Sequence, residues 1–141
     1  FVEEEGIPLL LGDPDELTQV IQNLLANAIN YGATDTNIRI EIKNSNKMPG
    51  TGGEGIAMAV TNKGEGIPEA ELSRITERFY RVDKGRSRSM GGTGLGLAIV
   101  KHIIGRHRGF LEIEIQLNKE TTFTVTLPSV DLEQKEDVIK L

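Results

Sequence analysis

Residues 91–104 read GGTGLGLAIVKHII, with four glycines in six positions running without a break into an apolar helix. So much backbone freedom directly ahead of a helix demands a tight turn. It also presents the N–H groups of the first helical turn, which carry partial positive charge, at close range to whatever lies in front of them. Such a junction suits an anion such as a phosphate. A tight turn with a helix packed close behind it would satisfy the same residues, so the run takes its meaning from what stands upstream.

The chain has 141 residues, about one domain's worth and enough for one ordinary core. A hydrophobic fraction of 38% and a charged fraction of 26% describe a globular chain, and a net charge of −5 argues against a general nucleic-acid surface. No apolar stretch reaches the roughly 18 residues needed to span a bilayer, and no signal peptide is visible. Cysteine is absent, which excludes disulfides and thiolate metal sites. The chain opens at Phe1 without an initiating Met and reads as a piece of a longer protein, and the charged tail after Pro128, ending DLEQKEDVIKL, reads as a frayed or short terminal helix.

Asp13-Pro14-Asp15-Glu16 predicts a helix start, with Asp13 as cap, Pro14 at the first helical position and Glu16 completing a capping box. Leu17, Val20, Ile21, Leu24, Leu25, Ala28 and Ile29 then recur at helical spacing, giving an amphipathic helix to about Tyr31. Residues 37–43 alternate as a half-buried strand, and 56–61 read as another, joined by the flexible stretch NSNKMPGTGGEG. A short helix over 69–75, a polar basic loop over 76–93, a helix at about 94–107 and strands at 110–117 and 121–127 follow, the last two joined by a tight turn at Asn118-Lys119. This order predicts a sheet covered by helices on one face. GEGI occurs at 53–56 and again at 64–67, and only the second copy follows a strand and precedes a helix, where ligand loops belong.

Three groups of residues are suited to chemistry. Asn23, Asn27 and Asn30 form one stripe beside the apolar face of the first helix. Asn costs roughly 0.6 kcal/mol relative to Ala at each helical position. Three there suggest amide oxygens arranged for a hard cation such as magnesium or for its waters; a solvated polar face accounts for them equally well. Asn62, Gly64 and Gly66 close a strand in NKGEGIP, where an amide and a closely approached backbone would shape a pocket, or simply turn the chain. Arg78-Phe79-Tyr80-Arg81, with Lys84, Arg86 and Arg88, suits a lid that buries a ring and offers charge to a phosphate, or a solvated basic loop. No GxxxxGK[ST] loop is present, and His102 and His107 lie away from any metal-like spacing.

Taken together, the Asn-bearing helix, the strand ending NKGEGIP, the segment ERFYRVD, the run GGTGLGLAIVKHI and the closing TTFTVTLP resemble the catalytic ATP-binding domain of bacterial two-component sensor histidine kinases. The blocks match that family's N, G1, F and G2 boxes in order and cover about residues 7–128. NAINYG and TERFYRVDKGRSRSMGGTGLGLAIVKHI look most similar to phosphate-regulon sensors of alphaproteobacteria. The resemblance implies an α/β (α+β) two-layer sandwich of the Bergerat type, a mixed sheet under three helices, with ATP held between the first long helix and a mobile lid at 76–93. It implies a catalytic domain over 1–128 and a tail over 129–141.

Carried over by position, Asn27 is the magnesium ligand and Asn23 its neighbour in the same box, and Tyr31 borders the nucleotide. Asn62 sits on the adenine amino group, with Gly64, Gly66 and Ile67 shaping the adenine pocket and Thr121 backing it. Arg81 reaches the γ-phosphate as the catalytic side chain, while Gly92, Thr93, Gly94, Leu95 and Gly96 cradle the phosphates. The implied cofactors are ATP and magnesium. The implied partners are the chain's own dimerisation domain, which carries the phosphoacceptor histidine absent here, and a response regulator. Neither nucleic acid nor membrane contact is implied, and the domain would lie on the cytoplasmic side of an inner-membrane sensor.

Three positions depart from the family's pattern: Asn62 where Asp is usual, Asn30 where Lys is common, and Glu120 where Gly usually precedes the closing strand. The first two leave a second expectation open, a degenerate kinase domain with weak or no ATP binding that acts through protein contacts.

Overall fold

A computed structural model describes residues 2–3, 10–48, 53–66 and 96–130. They form strand β1 (Val2–Glu3), helix α1 (Pro14–Tyr31), strands β2 (Arg39–Met48) and β3 (Gly53–Lys63), helix α2 (Gly96–Arg106), and strands β4 (Phe110–Gln116) and β5 (Glu120–Pro128). One mixed sheet has the order β1-β2-β3-β5-β4, with β1 parallel to β2 and every other pairing antiparallel. The expected mixed α+β class is what the chain adopts. The helix expected at 69–75 and the lid at 76–93 lie outside the described residues, as does the tail from 131 onward.

Helix α1 starts as its sequence dictates. Asp13 is extended, and its Oδ1 accepts from the N–H groups of Asp15 and Glu16 at 2.9 and 3.2 Å. The expected capping box does not close. The N–H of Asp13 donates instead to Nε2 of His107 at 3.0 Å, and the Glu16 carboxylate pairs with Arg106 at 3.0 Å. The C-terminus of α2 packs against the start of α1, and tertiary partners replace the local one.

Val20, Leu24 and Ala28, one residue per turn, are the buried stripe of α1. They meet Leu97, Val100, Ile103 and Ile104 of α2 and Val60, Phe123, Val125 and Leu127 of the two central strands. Burying a side chain such as Leu24 contributes about 1.5–3 kcal/mol. Leu17 and Leu25 pack at the edge of this core, whereas Ile21 and Ile29 are 40% and 66% exposed. The apolar stripe of the sequence is thus wider than the surface that covers it.

Strands β2 and β3 run farther than their composition suggests. The expected flexible stretch is in large part strand: β2 continues to Met48 and β3 begins at Gly53, with a register shift between Ser45 and Met48. GEGI at 53–56 therefore belongs to β3, not to a loop. β3 is a central strand whose residues from Gly55 to Thr61 pair with both β5 and β2, while Gly53 is held by β2 alone, opposite Met48; ladder pairing overrides the low strand propensity of glycine.

The two faces of the sheet differ in kind. Val60, Asn62, Thr121 and Phe123 share the face under the helices, while Arg39, Thr61, Thr122 and Glu114 line up across the other. That other face forms a polar trough of about 660 Å³, spanned by a Thr61–Thr122 hydroxyl hydrogen bond of 2.9 Å. Glu120 lies there, 3.8 Å from Arg39.

Candidate functional site

The C-terminus of α1 is stitched to the end of β3. Gly32, just past the helix, donates to the carbonyl of Ala28 at 2.9 Å, and Ala33 donates to the carbonyl of Lys63 at 2.7 Å. The stitch lays the end of α1 beside Asn62: a Cβ built on Gly32 would stand 3.6 Å from the Cβ of Asn62. There is no room for a side chain at Gly64: a Cβ would stand 2.9 Å from the carbonyl oxygen of Tyr31.

The loop that follows β3 is clamped from the opposite side by the turn between β4 and β5. Gly64 donates to the carbonyl of Lys119 at 3.2 Å, and Asn118 donates to the carbonyl of Glu65 at 3.0 Å. Asn118 itself has a φ of 58°, a conformation that Asn tolerates well. Gly66 has a φ of +91°, and a Cβ there would lie 2.8 Å from Cγ2 of Ile115 and 3.8 Å from Oγ1 of Thr121. Thr121 is the cross-strand partner of Asn62, and both are only 3% exposed. Asn62, Gly64, Gly66 and Thr121 are thereby gathered at one end of the sheet, on its helix-covered face.

Asn23 stands one turn before Asn27, against the start of α2. A Cβ on Gly96 would begin 3.9 Å from its Oδ1. The first residue of α2 therefore lies beside the asparagine stripe of α1. Of the residues expected to act, Arg81, Ile67, Gly92, Thr93, Gly94 and Leu95 lie outside the described residues.

The polar atoms here have an unusual status. Nδ2 of Asn23, Nδ2 of Asn27 and Oδ1 of Asn62 are buried without a hydrogen-bond partner among the described residues. Such a group costs about 1–3 kcal/mol, and native proteins keep few of them. Here all three belong to asparagines that the sequence singles out for ligand contact. A bound molecule with its own donors and acceptors would satisfy them.

The same donors fit a hard cation carried by a phosphorylated ligand. An amide oxygen is a ligand type that magnesium accepts beside phosphate oxygens and waters, and a half-turn of a side-chain amide exchanges its oxygen and nitrogen. No group of three His, Cys, Asp or Glu among the described residues could hold a metal unaided. The fit is to a cation that arrives with phosphates.

Sequence reasoning missed the two clamps. Ala33 with Lys63, and Asn118 and Lys119 with the glycine loop, act through backbone groups, which no residue identity signals; only Asn118, in its tight turn, left a trace.

A family model described as histidine kinase-, DNA gyrase B- and HSP90-like ATPase matches residues 12–131. The chain is 43% identical over 119 residues to the sensor-like histidine kinase SenX3 of Mycolicibacterium smegmatis, covering 84% of this chain and 29% of that protein. To the sensor histidine kinase WalK of Bacillus subtilis it is 38% identical over 125 residues, covering 89% and 20%. Among solved structures, the mycobacterial sensor histidine kinase MprB superposes with a TM-score of 0.68 at 30% identity, covering 87% of this chain and 78% of that one.

The chain belongs to the histidine kinase-, DNA gyrase B- and HSP90-like ATPase family. Within it, the chain is an ATP-binding catalytic domain of the sensor histidine kinase kind. It spans between a fifth and a third of the length of these two relatives.

Proposed function

We propose that this chain binds magnesium-ATP at the junction of α1, β3 and α2 and supplies the γ-phosphate to a histidine in a separate dimerisation domain of its parent polypeptide, for relay to a response regulator. The observation that carries the reading is the set of three buried amide atoms on Asn23, Asn27 and Asn62 that have no partner among the described residues.

In this reading Asn62 and Thr121 hold the base, with Gly64, Gly66 and Ile67 shaping its pocket, and Tyr31 borders the nucleotide. Asn27 ligates magnesium with Asn23 beside it, and the segment from Gly92 to Gly96 meets the phosphates. When bound, the cation neutralises phosphate charge; the chain's own part is to orient the nucleotide and exclude water around it. Arg81 contacts the γ-phosphate from a lid over 76–93. The catalytic unit is residues 1–128, on the cytoplasmic side of an inner-membrane sensor. SenX3 and WalK, from Mycolicibacterium and Bacillus, are named as sensor kinases and extend well beyond the matched region, which supports a partner domain in the parent chain. A narrower likeness to alphaproteobacterial phosphate-regulon sensors is proposed on NAINYG and TERFYRVDKGRSRSMGGTGLGLAIVKHI alone, since the relatives named above come from Mycolicibacterium and Bacillus.

The test is transfer of label from γ-labelled magnesium-ATP to the parent's dimerisation domain supplied in trans. Acid-labile, base-stable labelling of that domain supports the kinase reading. Saturable ATP binding without transfer, or no binding at all, favours the second reading, a silenced domain acting through protein contacts, which the amide at Asn62 motivates.

A further inference from the structure

We infer that Asn62 gives this site a relaxed choice of purine, accepting 6-oxopurine nucleoside triphosphates nearly as well as ATP. The inference rests on the nucleotide reading above and concerns the base end of the same pocket.

Asn62 is buried at the end of β3, 3% exposed, and its Oδ1 has no partner among the described residues. A Cβ built on Gly64 would stand 3.8 Å from its Nδ2 and one built on Gly32 3.6 Å from its Cβ, and Thr121 is its cross-strand partner. An amide presents one acceptor and two donors on a single planar edge. In one orientation Oδ1 accepts from the 6-amino group of adenine while Nδ2 donates to N1. Turned by half, Nδ2 donates to O6 of hypoxanthine while Oδ1 accepts from its N1–H. Both pairings make two hydrogen bonds, and the turn forfeits no partner that Oδ1 has among the described residues.

A carboxylate at this position would behave otherwise. It would accept from the adenine amino group, but it would set an acceptor against O6 of a 6-oxopurine and reject it. Pairing of an acceptor with an acceptor is how a buried polar site excludes a near-isostere. Asn62 removes that rejection and leaves the rest of the pocket unchanged.

The experiment is calorimetric titration of the chain, in excess magnesium, with ATP, with inosine triphosphate, and with the purine ribonucleoside triphosphate that carries hydrogen at position 6. The expected result is that ATP and inosine triphosphate bind within about tenfold of each other, while the 6-unsubstituted analogue binds more weakly than both by about tenfold or more. In Asn62→Asp, inosine triphosphate should fall at least about a hundredfold behind ATP. A hundredfold preference for ATP in the unaltered chain overturns the inference and leaves the nucleotide reading standing. Equal binding of all three triphosphates overturns it as well, because the 6-position would then go unread. Binding of none overturns both readings.

Discussion

The backbone N–H of Asp13 donates to Nε2 of His107 across 94 residues of sequence, and Nδ1 of the same ring lies 2.8 Å from the carbonyl of Ile103. A carbonyl only accepts, so the geometry assigns the ring as neutral, with its proton on Nδ1 and Nε2 as acceptor. One side chain thereby fastens the end of α2 to the cap of α1. His107→Ala removes both bonds and leaves a donor of α1 without its partner. We expect a loss of about 1–2 kcal/mol, or about 3–8 °C in Tm, with nucleotide affinity changed less than twofold since the ring is remote from Asn62. Thermal melts with and without magnesium-ATP check both halves.

The neighbouring pair behaves differently. Arg106 and Glu16 meet at 3.0 Å, but the Arg side chain is 60% exposed and such pairs contribute about 0.2–1 kcal/mol. Glu16→Gln should therefore shift the chemical denaturation midpoint much less than His107→Ala does. An equal or larger shift would mean that Glu16 acts on the helix start beyond its pairing with Arg106.

How much of this was legible in the sequence depends on whether the determining contact is local. Asp13 and Pro14 announce the start of α1 because capping acts within one turn, and Val20, Leu24 and Ala28 announce its buried face because helical spacing alone places them together. Asn62, Gly64 and Gly66 could be flagged because a strand ending in glycines reads as a ligand loop. The Asp13–His107 bond, the displacement of Glu16 from its box and the hold of Lys119 on Gly64 all join distant segments, and nothing near any of these residues encodes the partner. The extension of β3 back to Gly53 was hidden for a related reason: glycine composition argues for a loop, and only pairing with the distant residues of β2, joined by β5 from Gly55 onward, reverses it.

Asn27 offers a test in which stability and binding move in opposite directions. Its Nδ2 is buried with no partner among the described residues, and Asn disfavours helix by roughly 0.6 kcal/mol relative to Ala. Asn27→Ala removes both penalties, so the Tm of the nucleotide-free chain should rise by about 2–5 °C. The same change removes the proposed magnesium ligand. Affinity for ATP measured with magnesium should fall to the value measured with a chelator, and a Tm that drops while magnesium still tightens ATP binding would refute the assignment.

At Asn62 the expected signs are reversed. Asn62→Asp places a carboxylate where the amide oxygen has no partner among the described residues and almost no exposure, so the nucleotide-free chain should lose about 1–3 kcal/mol of stability. With ATP bound, the carboxylate receives the 6-amino group in a charge-assisted hydrogen bond, and the affinity should rise by about tenfold. Melting curves of the variant would then start below those of the unaltered chain without ligand and gain more from saturating magnesium-ATP. Should Asn62→Asp leave the affinity for ATP unchanged, Asn62 does not contact the base.

Gly66 probes the loop between these groups. Its φ of +91° is strained for any residue with a side chain, and the added carbon would stand 2.8 Å from Cγ2 of Ile115. Gly66→Ala must shift the loop or push β4 outward, and either movement draws Thr121 away from its place opposite Asn62. We expect a loss of about 1–2 kcal/mol by chemical denaturation, larger than a surface Gly-to-Ala change produces, together with weaker ATP binding. Gly105 is the control, since it sits in α2 with open space where its Cβ would be. Gly105→Ala should stabilise the chain by about 0.5–1 kcal/mol and leave the affinity for ATP as it was. If both substitutions act alike on affinity, the loop at Gly66 is not part of the nucleotide site.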